Sequence, residues 1–254
     1  MTTPPFLAVA GASRHFGGHK AVEQVSFDLA QGTLAAVIGP NGAGKTTLFN
    51  LIAGALSLTA GQILFLGRPV RSPGSACALG IARTFQNVRL FHELSVLENV
   101  MTGPGDFSFW RGALRWGRWV DEDRRRMKTA YYLLEDLGVA HLADRPAGEI
   151  PFGEQRLVEI ARALALKPKL LLLDEPAAGL NATETGRLGA LIRRLHDHGL
   201  TILLVEHDMG LVMNLAERVL VLDQGRQIAD GTPGEVRASP EVCAAYLGKE
   251  PARA

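Results

Sequence analysis

The chain has 254 residues, 47% hydrophobic and 21% charged, enough apolar material for one large domain or two joined lobes and too much for a disordered chain. Its 27 Lys and Arg against 26 Asp and Glu leave a formal net charge of +1, so no global basic field exists to hold nucleic acid or an anionic membrane. Cys77 and Cys243 form no C-x-x-C pair, which fits a reduced compartment and excludes a disulfide framework.

Residues 1–14 lack a basic stretch followed by an apolar core, and no apolar run approaches the roughly 20 residues of a spanning helix. The expectation is a cytosolic chain that does not cross a membrane by itself. Val25, Phe27 and Leu29 alternate with Ser26 and Asp28, a period of two that predicts a half-buried strand ending at Gln31-Gly32, in an antiparallel N-terminal part. From Thr33 the pattern becomes a continuous apolar run over 34–38, then a glycine-rich loop, then a helix over 45–55. The same order recurs at 170–173 with a helix over 183–198, and at 201–205 with a helix over 209–216. Repeated strand and helix units imply a parallel sheet with right-handed crossovers. Residues 91–148 show little strand character and two helical candidates, 96–101 and 121–137. Short strands at 219–222 and 226–229 and a helix ending near Leu247 complete the chain.

Gly39, Pro40, Asn41, Gly42, Ala43, Gly44, Lys45 and Thr46 match G-x-x-x-x-G-K-[ST], between a buried strand and a helix. Glycines there let backbone N–H groups close around phosphates, and the helix N-terminus adds partial positive charge. Lys45 is expected at the β- and γ-phosphates and Thr46 on Mg²⁺, with Thr47 beside it. Asp174 and Glu175 follow the apolar run 170–173, at the strand end where open α/β sheets bind ligands. Asp174 is expected to hold Mg²⁺ and Glu175 to orient the water that attacks the γ-phosphate.

In these ordered motifs the chain resembles the ATP-binding cassette superfamily from Val9 to Gly248. The resemblance implies an α/β fold: a P-loop NTPase core with a parallel sheet, an N-terminal antiparallel β subdomain and an inserted α-helical subdomain. It would be one cassette over 6–250, with the nucleotide-binding core in 1–90 and 165–250 and the helical part in 91–164. The resemblance also assigns roles. Phe16 stands where the family stacks an aromatic residue on adenine, Gln86 where a glutamine meets Mg²⁺ and the attacking water, and His207 where a histidine meets the γ-phosphate. Ala178, Gly179, Leu180 and Asn181 match the loop through which two ATPase subunits touch, with Asn where Asp is frequent. Ile150, Pro151, Phe152, Gly153 and Glu154 occupy the place of the Leu-Ser-Gly-Gly-Gln signature that meets the partner's ATP. Three of the five depart from it, which reduces the hydrogen bonds offered to that γ-phosphate while the Gly153 N–H and the helix N-terminus stay available.

Thr84 to Phe91, Glu175 to Asn181, Glu206 to Met209 and the ending Ala245-Tyr246-Leu247-Gly248 look most like the ATPases of branched-chain amino-acid importers. Lipopolysaccharide-export and urea-import ATPases share much of this pattern. The implied setting is the cytoplasmic face of the cell membrane, with ATP and Mg²⁺, permease subunits, a second ATPase subunit of the same or a different chain, an external substrate-binding protein indirectly, and no nucleic acid. A cassette serving DNA repair or the ribosome would carry a long coiled-coil insertion or a second cassette, and a non-hydrolysing switch would lack Glu175 or His207. Between Phe107 and Arg126, Trp110, Trp116 and Trp119 mix with Arg111, Arg115 and Arg118. These fit either a surface for anionic headgroups or membrane-subunit loops, or a lobe with its tryptophans packed inward.

Overall fold

The computed structural model describes residues 5–103 and 116–247, without the side chains of 116–122 and 247. Strands β1 (Leu7–Phe16), β2 (His19–Leu29), β4 (Ala60–Phe65) and β5 (Arg68–Pro69) form an antiparallel sheet in the order β2-β1-β4-β5. The second sheet runs β10-β9-β3-β8-β7-β6. In it β3 (Leu34–Ile38), β6 (Ile81–Arg83), β7 (Leu170–Asp174), β8 (Thr201–Val205) and β9 (Arg218–Asp223) are parallel, and β10 (Arg226–Gly231) lies antiparallel on β9.

The apolar runs follow from burial of this second sheet on both faces. Leu34, Ala36, Ile38, Leu171, Leu173, Ile202 and Leu204 point to one side, into a core shared with α4 (Trp116–Asp136), α5 (Phe152–Leu164), α6 (Ala182–Asp197) and α7 (Met209–Leu215). Ala35, Val37, Leu170, Leu172, Leu203 and Val205 point to the other, against α1 (Lys45–Ile52) and the antiparallel sheet. Each fully buried leucine contributes about 1.5–3 kcal/mol relative to exposure, and an unpaired charge on either face would be costly.

Helices α3 (Val96–Met101), α4 and α5 pack on one another. Ser95 and Glu98 form the capping box that starts α3. The expected helix over 45–55 stops at Ile52, because the chain turns at Gly54 (φ +68°), where a Cβ would lie 2.6 Å from the Ser72 backbone. α5 begins at Phe152, and α4 at Trp116, five residues earlier than the expected 121–137. Sequence patterning missed β1, β4, β5, β6 and α2 (Pro73–Leu79). The chain closes with α8 (Pro233–Ala238) and α9 (Pro240–Leu247). No described helix is long and apolar enough to cross a membrane. Trp110, Arg111 and Arg115, and the side chains of Trp116, Arg118 and Trp119, lie outside the described residues.

Candidate active site

Because β3, β8, β7 and β6 are parallel neighbours, the loops after them emerge at one edge of the sheet. The register places Val37, Val205 and Asp174 at one level. That single fact gathers the 39–46 loop, Asp174-Glu175, Glu206-His207 and Thr84-Phe85-Gln86.

The 39–46 loop is shaped by close backbone packing. Gly39 (φ +150°) and Gly44 (φ +98°) have no room for a side chain: a Cβ would lie 2.1 Å from the Leu222 carbonyl oxygen and 2.3 Å from that of Ala21, respectively. Ala43 N–H donates to Pro40 O at 3.1 Å, closing the turn. α1 has no side-chain cap and no acidic residue in its first turn, so its leading N–H groups are left for an anion. Lys45 is buried, and its ammonium donates to Gly39 O at 2.7 Å and Pro40 O at 3.0 Å, which holds the charge at the mouth of the loop. Asn41, Gly42 and Thr46 are exposed, and Thr47 is half-buried. Phe16, 45% exposed, ends β1 with the Arg14 guanidinium 4.6 Å from its ring centre. The chain after it passes under Gly44 at Ala21, which brings Phe16 toward the loop.

At the end of β7, Asp174 is buried and its Oδ2 accepts from Arg83 Nη2 at 2.6 Å. Arg83 Nη1 reaches Asn50 Oδ1 on α1 at 2.5 Å. Asp174 Oδ1 is buried without a hydrogen-bond partner, a state that costs free energy unless another group meets that oxygen. No cluster of three or more His, Cys, Asp or Glu side chains among the described residues is placed to cage a metal. A cation at this edge would take one or two protein oxygens and complete its shell with phosphate and water, as Mg²⁺ does. Oδ1 of Asp174 and the exposed hydroxyl of Thr46 fit that donor set.

Glu175 takes φ +46°, uncommon for a non-glycine residue, and its N–H donates to Val205 O at 2.9 Å. Such a conformation costs on the order of 1–3 kcal/mol and persists only when neighbours impose it. Its effect is to turn the carboxylate to Gln86, whose Nε2 donates to Glu175 Oε2 at 2.7 Å.

Glu206, fully buried, was not anticipated. Its Oε1 accepts from Ala177 N–H at 2.8 Å and its Oε2 from His207 N–H at 3.1 Å, so it braces the chain after Glu175 against His207. Burial pushes its carboxyl above the usual range against the pull of those N–H groups. The His207 ring is 61% exposed, with Nδ1 3.8 Å from Glu206 Oε2. Tyr246, in the ending Ala245-Tyr246-Leu247-Gly248, lies beside the loop and is only partly covered, 38% exposed. Burial raises its phenol and a backbone hydrogen bond with Gly39 opposes that shift.

The signature-like segment has its own geometry. Pro151 is the N-cap of α5 with no side-chain cap, as a missing hydroxyl requires. Phe152, 45% exposed, lies over Gly179 (φ +81°), where a Cβ would approach the ring to 3.0 Å. A Cβ on Gly153 would lie 2.6 Å from Glu184 Oε1. Asn181 caps α6, its side chain accepting from Thr183 and Glu184 N–H at 3.0 Å. Glu154 follows in the first turn of α5.

A profile of the family described as ABC transporter matches residues 22–178, and one described as Branched-chain amino acid ATP-binding cassette transporter matches residues 226–252. The chain is 42% identical over 251 residues to the high-affinity branched-chain amino acid transport ATP-binding protein BraF of Pseudomonas aeruginosa, covering 96% of this chain and 98% of that one. It is 43% identical, with the same coverage, to LivG of Salmonella typhimurium, which carries the same description. The ADP conformation of MJ1267, an ATP-binding cassette of an ABC transporter, superimposes with a TM-score of 0.85 at 33% identity over 97% of this chain and 100% of that one. With its phosphate loop, strand-end carboxylates and matching length, the chain belongs to the ABC transporter family, as an ATPase subunit that couples ATP hydrolysis to transport.

Proposed function

We propose that this subunit powers the import of branched-chain amino acids. The observation that carries the reading is the match of residues 226–252 to the branched-chain amino acid cassette profile, because a nucleotide-binding edge does not by itself identify a transported molecule. In this reading the chain sits on the cytoplasmic face of the membrane, bound to permease subunits that an external binding protein supplies. It pairs head to tail with a second ATPase subunit when ATP is bound.

The residues divide the work as follows. Backbone N–H groups of 39–46 and the Lys45 ammonium take the β- and γ-phosphates, and Phe16 offers its free face to the base. Thr46, Asp174 and Gln86 serve Mg²⁺, which when bound offsets charge on the β- and γ-oxygens. Glu175 orients the attacking water and accepts its proton, Gln86 holds the Glu175 carboxylate in place, and His207 donates to the γ-phosphate. Pro151, Phe152, Gly153 and Glu154 close over the partner's ATP.

The test is uptake of labelled leucine, isoleucine and valine by cells expressing the chain with its membrane subunits. Saturable uptake abolished by Glu175→Gln is expected. Uptake of urea instead, or an intact ATPase complex that moves none of the three, would remove the substrate assignment.

A further inference from the structure

Arg156 and Glu159 form an ion pair at 3.0 Å, one turn into α5, with both side chains 1% exposed. Two charges in such a place are costly unless their remaining hydrogen-bonding capacity is used, and here most of it is used on one loop, with Arg156 Nε left buried without a hydrogen-bond partner. Arg156 Nη1 donates to Phe85 O at 2.7 Å and Nη2 donates to Gln86 O at 2.8 Å. Glu159 Oε1 accepts from Phe85 N–H at 3.3 Å and, more weakly, from Arg89 N–H at 3.4 Å. The pair therefore grips the backbone on both sides of Gln86. The side chain of Gln86 reaches Glu175 at 2.7 Å.

The same helix carries Phe152, Gly153 and Glu154 at its start, a single turn before Arg156. A rigid helix and a forked guanidinium thus join two places: the segment facing the partner's nucleotide and the backbone that aims Gln86 at Glu175. The fork matters because its two parallel donors fix both direction and distance, which an ammonium cannot do.

We infer that Arg156 and Glu159 are positioning residues for hydrolysis: they set Gln86 against Glu175, and through α5 they make this subunit's hydrolysis site sensitive to what its Phe152–Glu154 segment meets. This rests on the proposed roles of Gln86 and Glu175. A structural clamp alone would change folding or nucleotide affinity without regard to Gln86, whereas a positioning pair acts through it.

The experiment is a double-mutant cycle in the assembled transporter, with Arg156→Lys and Gln86→Ala singly and together, reading kcat, KM for ATP and ATP affinity. Arg156→Lys is expected to lower kcat about tenfold to a hundredfold, the scale of a lost charge-assisted hydrogen bond, with ATP affinity held within about threefold. In the Gln86→Ala background the same substitution should change kcat less than about twofold. Equal losses in both backgrounds, an effect confined to KM, or unchanged kcat in Arg156→Lys would overturn the inference. If Gln86→Ala itself leaves turnover unchanged, the role given to Gln86 fails, and the inference with it. Should Arg156→Lys fail to assemble, Glu159→Gln serves in its place. It keeps an acceptor for Phe85 N–H and removes the ion pair, and the same loss of kcat, absent in the Gln86→Ala background, is expected.

Discussion

In the proposed function the phosphate edge and the start of α5 are both helix N-termini that meet phosphates, yet they are built in opposite ways. At α1 the side chains have been removed: Gly39 and Gly44 pass within van der Waals contact of other backbone, and Lys45 is the one charged group held inside the loop. At α5 the side chains have been added. Pro151 supplies neither hydroxyl nor N–H, and Phe152 covers the position of a glycine. The first arrangement is expected to bind the more strongly, because its donors other than the Lys45 ammonium are backbone and pre-oriented. The second depends on fewer donors and should discriminate less between an ATP-filled and an ADP-filled partner site.

The sharpest way to break this contrast is Glu175→Gln. Turnover at the chain's own site should fall by about 10²–10⁴-fold, ATP should still bind, and light scattering should detect an ATP-dependent dimer; near-normal hydrolysis removes Glu175 from its role. Lys45→Ala comes next, with an expected loss of ATP affinity of at least about 100-fold, since it deletes the charge at the loop mouth. Unchanged affinity in equilibrium titration would mean that the loop's backbone suffices. On the weaker side, Pro151→Ser should raise single-turnover hydrolysis of the partner's ATP about tenfold, with the chain's own site silenced by Glu175→Gln. An unchanged rate in an assembled pair makes the missing hydroxyl irrelevant.

The smallest effect concerns Glu206. Its carboxyl is raised above 4.5 by burial, so between about pH 4.5 and the raised value the unfolded chain has released a proton that the folded chain keeps. Stability from this group is fully present below that window and is lost as pH rises through it. Glu206→Gln has no proton to release over that window. Urea melts should show its stability relative to the parent improving with pH, with a slope of at most about 1.4 kcal/mol per pH unit. A pH-independent difference would mean that His207 and Ala177 N–H offset the burial.

The candidate site's edge was legible because the chemistry expected of it forces unusual composition: glycines at fixed offsets, a lysine after them and carboxylates directly after a leucine run. The parallel sheet was legible because two buried faces demand continuous apolar residues. β1 was not, since register irregularities on either side of Ala12, with Gly11 at φ +58°, interrupt any period of two. β6 has three residues, too few for a pattern. Arg156 and Glu159 were missed for a different reason. Spaced three apart on a helix, they read as an ordinary solvent-exposed pair, and only the fold reveals that a loop 70 residues upstream covers them. Arg83 and Glu206 likewise became visible only when the strands brought their partners across the sheet.

The contact of Phe152 with Gly179 has a practical corollary for anyone who exchanges parts between cassettes. Restoring Leu-Ser-Gly-Gly-Gln by replacing residues 150–154 alone would remove the ring that now rests on Gly179, leaving a hollow beside a glycine that already has the freest backbone available. The interchangeable module is therefore a pair of segments, 150–154 together with 178–184, each running from a loop into the first turn of a helix. A transplant that respects that boundary carries its own packing with it.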